Sequence, residues 1–213
     1  MAFMNLAGYG TGFFVQKDGW ILTCLHVVRE ADHINVLIST GETLSAAIVE
    51  QDPEHDLALL WIRGHAPAVV PISFNENIAL GDEIYTLGFP VPSLQGFNPK
   101  LTSGIVSAVT GLMDNPDVVQ ISASIQPGNS GGAVISEGGL IGVASSTVNP
   151  EDFLARTGSF PQNINYAIRT DPALRLLERR KVDPGTTNFE SKKLAIQNLT
   201  KATVLILVYR LSC

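Results

Sequence analysis

Between residues 12 and 148 the chain alternates short apolar, β-branched runs with tight-turn signals, and this spacing constrains the fold more than any other feature. The runs include GFFV, INVLI, AAIVEQ, LALLWI, EIYTLGF, GIVSAV, VVQISAS and LIGVASSTV; the separators include KDGW, STGE, LGDE and SEGG. Runs this short suit strands, and the separators carry the residues that hairpins and tight turns demand. No helical period lies between them, so parallel β/α units are excluded and an all-β antiparallel sandwich or barrel is expected.

One clear helix follows, TDPALRLLERRKV at 170–182, with Asp171 as expected N-cap, Pro172 at the first helical position, and Arg179, Arg180 and Lys181 near the C-terminal end. Asp183-Pro184-Gly185 breaks it. Residues 1–182 therefore read as one domain, and 183–213 as an appended tail of uncertain structure, with its apolar segment a candidate late strand. That segment, ATVLILVYRL, has about half the length of a membrane-spanning helix, so no membrane partner is expected.

With 45% hydrophobic and 16% charged residues among 213, the chain can bury a core and is not disordered. A formal net charge of -6 offers no electrostatic footprint for nucleic acid. The two cysteines, Cys24 and Cys213, are expected as free thiols, since they do not make a disulfide framework. The opening MAFMNLAGYG lacks the basic leader and apolar stretch of an export signal, which predicts a cytoplasmic location.

Chemistry centres on QPGNSGGAV, which places Ser130 between glycine-containing turns. Such a serine is either a turn hydroxyl or a nucleophile, and the second role needs a base, because a neutral hydroxyl attacks poorly until its proton is taken. Of His26, His33, His55 and His65, His26 is best placed, at the end of the apolar run ILTCLHVV. Asp56 opens the apolar strand LALLWI, where an unpaired carboxylate is costly and calls for a donor such as an imidazole N–H. In extended chain its neighbour His55 points the other way. The order His26, Asp56, Ser130 is that of chymotrypsin-like enzymes.

In order, GTGFFVQKDGWILTCLHVV, DPEHDLALLWI, GDEIYTLGFP, LTSGIVSAV, IQPGNSGGAV, LIGVASSTV and NINYAI resemble the successive motifs of trypsin-like peptidases of the HtrA (DegP-like) group. The resemblance implies two packed six-stranded antiparallel β-barrels, about 1–90 and 91–170, with a C-terminal helix at 171–181. It implies a serine endopeptidase acting on proteins or peptides, with His26 as base, Asp56 orienting it, and Ser130 as nucleophile. The turn Gly128-Asn129-Ser130 would supply the oxyanion hole through the N–H groups of Gly128 and Ser130. Because Asn129 replaces the aspartate of digestive relatives, no ion pair with a new N-terminus is expected, and other contacts must set the turn. By the same resemblance, Ser124, Ser145, Ser146, Thr147 and Asn165 bind substrate, with Asn165 narrowing the pocket and the 145–147 backbone adding substrate as a strand.

No cofactor or metal is expected, and Cys24 reads as a small buried hydrophobe. The resemblance allows a homo-oligomer. Only nine residues precede Gly10, so the first strand is expected to be short or the chain a fragment, and residues 183–213 are too few for a PDZ domain. The alternatives are an idle peptide-binding cleft on the same fold, and a purely structural β-barrel in which these motifs are core and turns.

Overall fold

The computed structural model describes residues 3–72, 78–147, 150–159, 162–185 and 189–212; Cys213, expected as a free thiol, lies outside them. Its strands close into two six-stranded antiparallel barrels. The first contains β1 (Met4–Gln16), β2 (Trp20–Cys24), β3 (His33–Leu37), β4 (Thr43–Asp52), β5 (Leu57–Ile62) and β12 (Thr203–Leu211). The second contains β6 (Glu83–Gly88), β7 (Lys100–Ala108), β8 (Val118–Ile121), β9 (Ala133–Ser136), β10 (Gly139–Thr147) and β11 (Asn165–Arg169).

Successive strand residues face opposite sides of a sheet, which explains why LALLWI is apolar almost throughout. Ala58, Leu60 and Ile62 of β5 join Phe14, Ile21, Val36 and Ile206 inside the first barrel. Leu57 and Leu59 face outward with Phe13 and Leu22, into a second core shared with Tyr85, Leu87, Ile135 and Val143 of the other barrel. Both faces of this wall are dry, so the barrels are packed together rather than tethered. The second barrel has its own interior of Ile84, Val106, Val119, Ile121, Val134 and Ile141.

Short helices punctuate the strands: α1 (Leu25–Val28), α2 (Pro92–Gln95), α3 (Pro150–Thr157), α4 (Thr170–Arg179) and α5 (Lys192–Ala202). The helix expected at 170–182 is α4, capped by Arg169 rather than Asp171, because β11 runs into it without a loop. Asp171 instead sits in its first turn, where a carboxylate complements the positive helix end.

The last thirty residues depart most from the sequence reading. Residues 203–211 are no appendage: β12 lies between β1 and β3, pairing with Met4–Phe13 on one side and His33–Leu37 on the other. The folded unit therefore continues past residue 182. In front of β12, Ser191 caps α5 by accepting a hydrogen bond from Leu194 N, and Ala195, Leu199 and Ala202 bury one face of that helix on the shared core. The first strand is also not short; β1 runs 13 residues because its first part needs β12 and its last part pairs β2. The ends of the chain meet where Ser212 N donates to Phe3 O at 2.9 Å.

Candidate active site

His26 does not end a strand as expected. β2 stops at Cys24, and His26 rides on the single turn α1, whose Leu25 and Val28 are buried anchors. Leu25 N donates to Asp56 O at 2.9 Å, so the backbone of α1 is tied to the segment entering β5. Asp56 has φ of 56°, a left-handed conformation that Asp tolerates better than most residues, and this turns its side chain back toward α1. Its carboxylate grips His26 twice: Oδ1 accepts from the backbone N–H at 2.8 Å, and Oδ2 stands 2.5 Å from ring Nδ1. Since a carboxylate only accepts, the proton between them belongs to Nδ1, leaving Nε2 as the basic nitrogen.

The other histidines stay apart from this clasp. His55 turns away, with Nδ1 2.9 Å from Asp52 Oδ2 and Nε2 3.7 Å from Asp117 of the second barrel. Burial disfavours the ionised Asp52, but the hydrogen bonds from the His55 ring and amide, with the charges of His55 and Arg179, outweigh it and hold this carboxyl below its usual range. His33 pairs with Asn35 at 2.9 Å, and His65 lies on the surface near Asp18.

Ser130 arrives from the second barrel on a turn with two left-handed glycines, Gly128 (φ 102°) and Gly131 (φ 89°). These positions need glycine for space as well: a Cβ on Gly128 would stand 2.2 Å from Phe89 O, and one on Gly131 would stand 2.1 Å from Thr11 O. The turn is held by the first barrel. Buried Thr11 donates its hydroxyl to Gly128 O at 2.6 Å and its amide to Ser130 O at 2.9 Å, and accepts from Phe89 N at 3.2 Å. Thr23 donates its hydroxyl to Thr11 O at 2.7 Å. The contacts that set the turn therefore come from Thr11, and no ion pair at Asn129 takes part. Sequence reasoning missed both threonines; the signal was a polar residue inside each of the otherwise apolar runs GTGFFV and WILTC.

Among the described residues, neither Gly128 N–H nor Ser130 N–H finds an acceptor, although the amides of Asn129, Gly131 and Gly132 all do. The Ser130 hydroxyl donates to Ser145 O of β10 at 2.8 Å. His26, Gly128, Ser130 and Ser145 line one open cavity of about 490 Å³, whose other walls include Ile125 to Pro127, Ala7 to Tyr9 of β1, and Val208 and Arg210 of β12.

The expected substrate residues divide. Ser145 is on the cavity, whereas Ser124 and Asn165 are not among its lining residues. Ser124 is exposed and its carbonyl accepts from Thr102 at 3.2 Å. Asn165 is buried and donates to Ala123 O at 2.9 Å, so its amide braces the segment between β8 and Ser130. Ser146 and Thr147 pair through their backbones with Tyr166 and Asn165 of β11. On its other side β10 pairs with β9 only as far as Val143, which leaves the 145–147 edge unpaired by β9.

Cys24 Sγ, a His26 ring nitrogen and an Asp56 oxygen lie within 4.8 Å of one another. They make a poor metal site. The His26–Asp56 contact is a direct hydrogen bond that an ion would have to break, and Cys24 is fully buried, donating to Ala144 O at 3.4 Å. Burial, reinforced by Asp56, pushes its thiol far above the usual range and disfavours the thiolate a metal would need.

A family model described as "Trypsin-like peptidase domain" matches residues 10–143. The chain is 38% identical over 161 residues to an uncharacterized Sinorhizobium fredii protein, y4bJ, covering 75% of this chain and 25% of that one. It is 34% identical over 178 residues to a probable periplasmic serine endoprotease, DegP-like, of Pseudomonas putida, covering 82% of this chain and 35% of that protein. Among solved structures it is similar to a serine endoprotease from Yersinia pestis (TM-score 0.68, 33% identity, 81% of this chain and 57% of that one). It is also similar to the HtrA-type protease AlgW with a decapeptide (TM-score 0.66, 32% identity, 79% of this chain and 50% of that one). The chain thus spans about a quarter to a third of the length of these curated relatives. They also correct the expected cytoplasmic location: DegP-like relatives are named periplasmic, and they point away from the cytosol. The opening residues of this sequence carry no information on that point.

Proposed function

Starting from a chain that belongs to the trypsin-like peptidase family, among the HtrA/DegP-type serine proteases, we propose that it hydrolyses peptide bonds of protein substrates through Ser130, His26 and Asp56. The observation that carries this reading is the His26 imidazole, gripped by Asp56, on the same cavity as a serine whose own N–H and that of Gly128 find no acceptor among the described residues.

An extended substrate enters along the 145–147 edge of β10 and places its scissile carbonyl over Ser130. The hydroxyl leaves the Ser145 carbonyl by rotation about its Cα–Cβ bond. His26 Nε2 takes the proton as Oγ attacks, and Asp56 stabilises the resulting imidazolium without taking the proton itself. Negative charge moving onto the carbonyl oxygen is met by Gly128 N–H and Ser130 N–H; losing one such donor costs roughly 3–4 kcal/mol of barrier. The tetrahedral intermediate collapses as His26 protonates the leaving amine, giving an acyl ester on Ser130. Water, deprotonated by His26, then releases the acid and restores the hydroxyl. The names of the DegP-like relatives favour a periplasmic site of action.

Incubation with a fluorophosphonate is expected to label wild type once, at Ser130, and to leave Ser130→Ala unlabelled. The wild type, and not the variant, should fragment an unfolded protein. A cleft that binds peptides yet neither labels nor cuts overturns the assignment in favour of an idle binding module.

A further inference from the structure

We infer that Arg210, supplied by the C-terminal strand, selects substrates carrying a carboxylate side chain just after the scissile bond. The inference rests on the substrate path proposed above. If the residues before the scissile bond run along the 145–147 edge of β10, those after it leave on the far side of Ser130 and His26. The first-barrel walls of the same cavity, across from Ser145 of the second barrel, are Ala7 to Tyr9 of β1 and Val208 and Arg210 of β12. Among the described lining residues, Arg210 is the one formally charged side chain.

A guanidinium has five N–H donors. Arg210 spends Nε on Glu30 O at 3.1 Å and one Nη2 donor on the Glu30 carboxylate, and its other donors meet no acceptor among the described residues. Its side chain is 50% exposed, so these donors are open to a ligand. Of the nearby carboxylates, Glu30 pairs with Arg210 and lies 4.0 Å from Arg29 Nε, and Asp32 accepts from Leu211 N at 2.8 Å; neither is among the described lining residues, so a ligand in the cavity meets the open side of the guanidinium and not these carboxylates. A planar fork with spare donors beside an extended backbone suits a Glu or Asp side chain, which it can take bidentately, better than a neutral amide.

The test uses peptides in which Glu or Lys is walked through each position. Wild type should cleave with kcat/KM about fivefold higher for Glu than for Lys at one of the first three positions after the cut, a size typical of a half-exposed ion pair, and the ratio should fall as salt is raised. Arg210→Gln should bring the ratio to about one, Arg210→Glu should invert it, and Glu30→Gln, which releases the guanidinium, should increase it. Using the ratio within each variant removes any loss of folded protein. A ratio unchanged by Arg210→Gln, or no Glu preference in wild type, overturns the inference.

Binding to Ser130→Ala keeps it falsifiable if catalysis itself fails. The same peptides followed by fluorescence anisotropy should show a Glu preference that Ser130→Ala/Arg210→Gln lacks; equal affinities overturn it. Fluorophosphonate labelling without discrimination between peptides sinks this inference alone, whereas absent labelling sinks the hydrolytic reading.

Discussion

The two barrels share a strand count but not a construction. Every strand of the second lies within one stretch, Glu83 to Arg169, whereas the first draws five strands from Met4 to Ile62 and its sixth from Thr203 to Leu211. The locally built barrel carries Ser130, and the one closed from afar carries the His26–Asp56 clasp and the threonines that hold the Ser130 turn. The turn that carries Ser130 thus depends on the first barrel, and the first barrel depends on the end of the chain.

The largest effect is expected from removing residues 203–213. Nothing else fills the gap between β1 and β3, whose unpaired edges and interior would be exposed. Labelling of Ser130 should vanish and cooperative melting should be lost, as followed by circular dichroism. Retention of both would show that β12 is dispensable and undo the contrast between the barrels. A milder version is Ile206→Asp, an uncompensated carboxylate inside the first barrel, expected to cost about 4–5 kcal/mol by denaturant titration.

Thr11→Val asks whether the first barrel governs Ser130 of the second. The change keeps the shape and leaves Gly128 O and Phe89 N without their partner, for about 2–4 kcal/mol of stability. The labelling rate at Ser130 should fall while the His26–Asp56 clasp, which Thr11 does not touch, is retained. An unchanged rate would separate the two halves.

Asp52 tests the seam between the barrels. Its carboxyl is depressed in the folded chain, so the stability it adds is present above its ordinary value of 3.8 and is lost as pH falls through the lower folded value. Wild type should exceed Asp52→Asn by about 1–3 kcal/mol near neutral pH, with the gap closing in acid below pH 3.8. A gap that persists in acid would mean that packing, not charge, is what Asp52 supplies.

The smallest change is Cys24→Ala. The thiol is buried and its ionisation suppressed, so the variant should retain labelling and lose only about 1 kcal/mol. Native wild type should resist iodoacetamide at this position.

Motifs read along the chain singled out His26, Asp56 and Ser130 because each sits in a short segment whose residue types are unusual for their surroundings; in the structure His26 and Ser130 line one cavity and Asp56 bonds His26. Thr11 and Thr23 escaped notice because a hydroxyl inside an apolar run marks a polar position but does not name its acceptor, which for Thr11 lies more than a hundred residues away. Asn165 illustrates the converse. Its place in a motif suggested a pocket wall, yet its amide bonds the Ala123 carbonyl, a choice made by the β8–β11 neighbourhood.

By itself the sequence determined strand character, turn positions and the residue types gathered around Ser130, since short apolar, β-branched runs and glycine, asparagine and proline placement act over a few residues. Only the tertiary structure decided that the last strand closes the first barrel, that two threonines buttress the Gly128–Ser130 turn, and that an arginine from the far end of the chain lines the cavity. Those outcomes depend on which distant edges find one another, and hydrogen bonding across a sheet does not depend on how far apart in the chain its partners lie.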